Sequence, residues 1–296
     1  MTQIVLKSGN ARAVIFPERG ALVASLKLTS PKHAASELLW LPPGFDPGSS
    51  AWPGGGLPFL FPFAGRVWHK GELYKYGLKD AVYSMPLHGF SWATSWSVKA
   101  VSETQATLEL QSNDTTLGLY PFHFKITMTI TLEPSSLKSE ITILHIKPHS
   151  VENAEMPVAI GWHPYLALGS SSQTLSIPAE TVIAVTPQGG AGKPLPASEF
   201  LGDAPWTLPK KELQSLILSN LRANEPVSLT SATGSELRLT SGPPEVMKHV
   251  VTWTNEPTEF HCVEPWMSLP DAVSMPSGCQ WLKAGSSLQA WLKITV

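Results

Sequence analysis

Strict alternation of apolar and polar side chains is the strongest local pattern in the sequence. Phe124, Ile126, Met128, Ile130 and Leu132 are separated by Lys125, Thr127, Thr129 and Thr131, and a period of two puts successive side chains on opposite faces of an extended chain. The segment predicts a strand with one buried face. The same period closes the sequence, where Leu288, Ala290, Leu292, Ile294 and Val296 alternate with Gln289, Trp291, Lys293 and Thr295. Shorter versions stand at Thr107 to Gln111, Leu137 to Ile143, Val227 to Leu229 and Leu237 to Leu239. Turn-forming clusters such as Glu133-Pro134-Ser135-Ser136, Ser112-Asn113-Asp114 and Thr233-Gly234 interrupt these runs at roughly the 8 to 12 residue spacing of antiparallel sandwiches. One short helix is predicted, around Lys210 to Ser219. Many short strands and few helices predict an all-β architecture, a large antiparallel β-sandwich of two packed sheets. No internal repeat or Gly/Ser linker divides the chain, so residues 1–296 read as one domain.

Two stretches break the alternation. From Leu41 to Gly71, Pro and Gly crowd around Trp52, Phe59, Phe61 and Phe63, a composition that predicts a long ordered loop, and such loops on rigid sheets carry function. From Pro187 to Pro209 the sequence is again rich in Pro and Gly but has no titratable cluster, which predicts a surface excursion.

Composition narrows the function. Hydrophobic residues make up 43% and charged residues 15% of the chain, enough apolar surface to fill a large core. The formal net charge of -2 and the lack of a basic run argue against a nucleic-acid partner. Lys7, Arg12, Glu18 and Arg19 interrupt the first twenty residues, and no segment approaches the ~20 apolar residues of a membrane span. Two cysteines, Cys262 and Cys279, in so long a chain fit a reduced compartment better than a disulfide framework. The expectation is a cytoplasmic protein without a membrane partner.

Polar groups able to do chemistry stand in four short motifs: Gly65-Arg66 after Phe59-Leu60-Phe61-Pro62-Phe63, Leu87-His88-Gly89-Phe90, Gly161-Trp162-His163-Pro164-Tyr165, and Cys262-Val263-Glu264-Pro265-Trp266. Each sets one polar side chain among aromatic or turn-forming neighbours, which is how a sugar pocket is composed: aromatic faces meet C–H surfaces and a few polar groups fix orientation. Taken singly, a histidine beside a proline reads as structural, and a glutamate on an alternating strand reads as solvated. The histidines show no metal-ligand spacing, and neither a Gly-x-Gly-x-x-Gly nor a phosphate-binding loop is present. No metal and no cofactor are expected.

The four motifs together, in this order from Gly56 to Trp266, resemble those of the aldose 1-epimerase family. The resemblance implies a galactose mutarotase-like β-supersandwich that interconverts the α and β anomers of an aldose. It implies that His163 is the acid protonating the ring oxygen and Glu264 the base taking the proton of the C1 hydroxyl. Arg66 and His88 would hold the sugar, with Trp162 and Trp266, which flank the catalytic groups, as pocket walls. Hemiacetal opening delivers one proton and removes another, so a protonated histidine beside an ionised glutamate meets its needs. Two departures bear on the substrate. Many relatives follow HisGlyPhe with Ala-Arg, but Ser91-Trp92 stands here, so the second arginine that would suit a phosphate is missing; and the acidic hydroxyl-binding residue of a late Leu-Asp segment has its nearest counterpart in Leu213-Gln214. A free hexose is therefore expected, with a hexose-6-phosphate 1-epimerase or a non-catalytic carbohydrate-binding protein on the same scaffold as alternatives.

Overall fold

A computed structural model of the chain describes residues 2–147, 155–169, 172–222 and 225–296. A nine-stranded antiparallel sheet runs in the order Ser97–Val101, Gln105–Gln111, Phe124–Glu133, Ser136–His145, Ser287–Thr295, Glu236–Gly242, Val227–Ser231, Gln173–Ser176, Trp206–Leu208. An eight-stranded sheet follows the order Ala191–Pro196, Ala179–Val185, Ser215–Leu221, His249–Trp253, Phe260–Trp266, Gly161–Trp162, Phe59–Leu60, with Tyr165–Ala167 also paired to Phe260–Trp266. A four-stranded sheet is built from residues near the N-terminus, Ile4–Ser8 through His33–Glu37. Among the described residues the α-helices are two short ones, Asp114–Leu119 and Ala197–Leu201. None is long and apolar enough to cross a membrane.

Alternation places the core. Along Phe124–Glu133 the apolar positions are buried and the intervening lysine and threonines half-exposed, and Leu288, Ala290, Leu292 and Ile294 are buried in the same way. Ile126, Ile141 and Leu292 from the nine-stranded sheet share one apolar cluster with Leu218, Val250 and Val263 from the eight-stranded sheet, so the two sheets enclose a common interior. Each such fully buried side chain contributes roughly 1.5–3 kcal/mol.

The predicted helix around Lys210 to Ser219 does not form. Lys211–Gln214 is one turn of 3-10 helix and Ser215–Leu221 is a strand. Leu216, Ile217 and Leu218 are consecutive and all buried, and a continuous apolar run bounded by polar residues is also what a strand covered on both faces looks like. The strand lies inside the eight-stranded sheet, where both faces are covered.

Candidate active site

The strand Phe260–Trp266 is buried throughout, and its odd and even positions face different compartments. Glu264 and Trp266 face a cavity of about 600 Å3, while Val263 and Pro265 line a separate hollow on the other side of the sheet. His163 follows the short strand Gly161–Trp162 and joins Glu264 and Trp266 in the cavity. Its Nε2 lies 3.2 Å from Glu264 Oε1. The indole N–H of Trp266 donates to Glu264 Oε2 at 3.0 Å, so both carboxyl oxygens are engaged. Two glycines make room for that indole: a Cβ on Gly161 would stand 2.7 Å from the Trp266 ring and one on Gly65 3.0 Å from it.

Burial sets the protonation of the pair. Glu264 is 1% exposed and His163 5%. Burial holds the Glu264 carboxyl well above the usual carboxylate range, opposed only by the Trp266 N–H. Burial, with His88 adding to it, holds His163 well below the usual imidazole range. Burial therefore favours the neutral form of each group, with the proton on Glu264 and His163 uncharged. Sequence reasoning expects imidazolium and carboxylate; removing both groups from water favours their neutral forms instead. The total proton count is the same in either arrangement.

His88 completes the polar floor. It and Gly89 both adopt left-handed backbone, φ 63° and 76°, which turns the chain so that the backbone N–H of His88 donates to the Gly65 carbonyl at 2.9 Å. The Gly65 N–H returns a bond to His88 Nδ1 at 3.0 Å. Nδ1 is thereby the acceptor, and the proton of the neutral ring sits on Nε2. Burial first, then Arg66, pushes His88 down to about 3, so the ring stays neutral and is a hydrogen-bond donor.

Arg66 also lines the cavity, and its Nη1 donates to the Gln188 carbonyl at 2.8 Å. Thr186, Pro187 and Gly189 line the same side, so the start of the stretch from Pro187 is a wall of the site and not a surface excursion. The stretch carries no titratable cluster, which is why the sequence did not mark it; it reaches the site through its backbone, the Gln188 carbonyl. Trp162 is misplaced in the sequence reading. As the neighbour of His163 on extended chain it faces the opposite way, 1% exposed and packed against Phe59 with centroids 5.4 Å apart. The aromatic walls are instead Trp52, Tyr165 and Trp253 with Trp266. Tyr165 was legible from its i+2 spacing to His163; Trp52 and Trp253 reach the cavity only through long-range pairing. Gln214 does not line the cavity, whereas its neighbour Ser215 does.

The donor atoms of His163, Cys262 and Glu264 lie within 4.8 Å of one another, a nitrogen, sulfur and oxygen set that zinc accepts. Acid/base work needs the same nitrogen and oxygen, so a cation there would compete with it. Both cysteines are free thiols.

Residues 2–295 match the family described as aldose 1-epimerase. No curated protein is significantly similar in sequence. Among solved structures the fold is similar to the Slr1438 protein from Synechocystis sp. PCC 6803 (22% identity, 99% of this chain and 95% of that one, TM-score 0.81). It is also similar to a galactose mutarotase-like protein from Lactobacillus casei ATCC 334 (22% identity, 99% of both chains, TM-score 0.77) and to an aldose epimerase homologue from C. elegans (15% identity, 99% and 98%, TM-score 0.77). With the motifs brought together in one cavity and the match spanning nearly the whole sequence, the chain belongs to the aldose 1-epimerase family.

Proposed function

We propose that the chain is an enzyme that interconverts the α and β anomers of a free hexose, with His163 and Glu264 exchanging protons with the sugar. The observation that carries this reading is the 3.2 Å contact between His163 Nε2 and Glu264 Oε1 at the cavity wall. The two oxygens on an anomeric carbon are closer together than that, so one ring can meet both groups at once. Transfer of the shared proton from Glu264 to His163 gives imidazolium and carboxylate. His163 then protonates the ring oxygen while Glu264 takes the hydroxyl proton, and the C1 to ring-oxygen bond breaks to leave the open aldehyde. Rotation about C1–C2 and closure by the reverse transfers give the other anomer. The Trp266 N–H at Oε2 lowers the cost of the carboxylate, and Arg66 and the Nε2–H of His88 are donors for the sugar's oxygens.

Charge favours a free sugar over its 6-phosphate. Arg66 is the sole lysine or arginine among the described residues of the cavity wall. A phosphate in a partly dehydrated site needs charge-assisted partners, and Trp92, where a second arginine would stand, packs edge-on against Trp52 at 5.0 Å. Lys75 is turned to Ser84, 2.7 Å away. NMR exchange between anomers across free and 6-phosphorylated aldoses tests both parts. Faster exchange of the free sugar is expected; a higher kcat/KM for the phosphates overturns the substrate, and no exchange with any aldose overturns the reaction in favour of a binding protein.

A further inference from the structure

Trp92 stands on one turn of 3-10 helix, Ser91–Ala93, half-buried behind the wall that Trp52 and His88 give the cavity. Its indole N–H is shared between two carbonyls, that of Gly89 at 2.8 Å and that of Leu87 at 3.2 Å. These carbonyls bracket the left-handed pair His88-Gly89. A histidine in left-handed backbone is unfavourable by itself and persists only where its surroundings hold it, and the Trp92 N–H ties both ends of that turn. The turn in its turn lets the Gly65 N–H reach His88 Nδ1, which leaves Nε2–H for the cavity.

The Trp92 ring bears on the same imidazole from a second direction. It meets Trp52 edge-on at 5.0 Å, and Trp52 stacks on His88 at 5.1 Å with the rings 29° from parallel. Behind Trp92 lies Arg19, 3% exposed, its guanidinium 5.9 Å from the indole centroid and donating to the carbonyl of Ala51, next to Trp52. A cation over an indole face is attractive, and a Cβ on Gly20 would run into the Trp92 backbone, so Arg19-Gly20 backs the indole closely. We propose that Trp92 is a positioning residue for His88: without touching the sugar, it fixes the direction of Nε2–H through the backbone on one side and through Trp52 on the other. Its effect on turnover rests on the epimerase reading given above; its effect on the imidazole does not.

Trp92→Phe keeps an aromatic ring and removes the N–H. Long-range proton–nitrogen NMR spectra of the His88 ring read the result without any sugar: the wild type should carry the proton on Nε2 alone, and the variant should show a mixture of the two tautomers. In anomer exchange with glucose, kcat/KM should fall about fivefold, the worth of one hydrogen bond. In a His88→Ala background the same substitution should change it less than about twofold, because residues that act through one another lose their joint effect once. Should Trp92→Phe fail to fold, benzothienylalanine at position 92, which keeps the shape of the indole and lacks the N–H, gives the same comparison. An unchanged His88 spectrum, or an equal fall in both backgrounds, overturns the positioning role. Absence of exchange in the wild type would instead overturn the epimerase reading, and the tautomer spectrum would still decide the role of Trp92.

Discussion

The indole N–H of Trp52 donates to the hydroxyl of Tyr165 at 2.9 Å across 113 positions of sequence. Tyr165 lies flat against His163, rings 4.7 Å apart and 17° from parallel, and Trp52 meets the same imidazole edge-on at 5.4 Å. One hydrogen bond between a loop and a strand closes an aromatic collar around the His163 ring. Tyr165→Phe keeps the stack and frees the loop. With about 1 kcal/mol lost per hydrogen bond, KM should rise roughly fivefold with kcat nearly unchanged, read from saturation curves of anomer exchange. A fall in kcat matching the rise in KM would assign the hydroxyl to proton transfer.

Glu264→Gln keeps an acceptor for the Trp266 N–H and removes the proton acceptor. Turnover should fall by about 10² to 10⁴, with the Tm and the affinity for sugar retained. Near-normal exchange by this variant would put the base elsewhere.

Gly189 has φ +87°, and a Cβ there would run into the Arg66 guanidinium. Gly189→Ala should therefore swing Arg66 away from the Gln188 carbonyl and raise KM toward that of Arg66→Ala. Left-handed alanine costs about 1–2 kcal/mol, so a modest loss of Tm should accompany it. An unchanged KM in Gly189→Ala beside a raised one in Arg66→Ala would mean that the bond to Gln188 is not what aims the guanidinium.

The active form of the pair carries one proton. A second proton enters only when His163 charges, and its pKa lies well below 6.5; the first leaves only when Glu264 ionises, well above 4.5. The profile of kcat/KM against pH, which reports the free enzyme, should show no fall centred near 6.5 as the pH is lowered. A fall centred there on acidification would mean that His163 titrates as if in water.

Buried neutral histidines also make the fold acid-sensitive. Burial pushes His261 down to about 4, and burial with Lys248 does the same to His249. The unfolded chain takes up these protons below about 6.5, so this share of stability is fully present above that pH and is lost as pH falls toward 4. The raised Glu264 works in the opposite sense, so the informative quantity is a difference. His261→Gln should lose less Tm than the wild type between about pH 7 and about pH 4.5. Equal losses would show that His261 charges without cost in the fold.

Period-two segments translated directly into strands because one face is buried and the other wet, as Phe124–Glu133 and Ser287–Thr295 show. Leu216 to Leu218 misled because a strand covered on both faces has no period. The candidate site residues were legible as motifs, and Arg66, His88, His163, Glu264 and Trp266 do line one cavity. What sequence could not reveal is which way each aromatic faces once the sheets pair. Trp162 turns inward, while Trp253 comes to the site because it pairs with Cys262, two residues before Glu264. The protonation of His163 and Glu264 was also out of reach, since burial is a property of the folded sheet.

The seat of Trp266 between Gly65 and Gly161 has an evolutionary reading. A side chain added at either glycine crowds the indole that holds the Glu264 carboxyl, so neither position of the Glu264 half of the pocket offers a single-step route to a new shape. At Gly189 an added Cβ would instead meet Arg66. Descendants of this sequence that change substrate should do so by drift in that loop, with the glutamate side inherited intact.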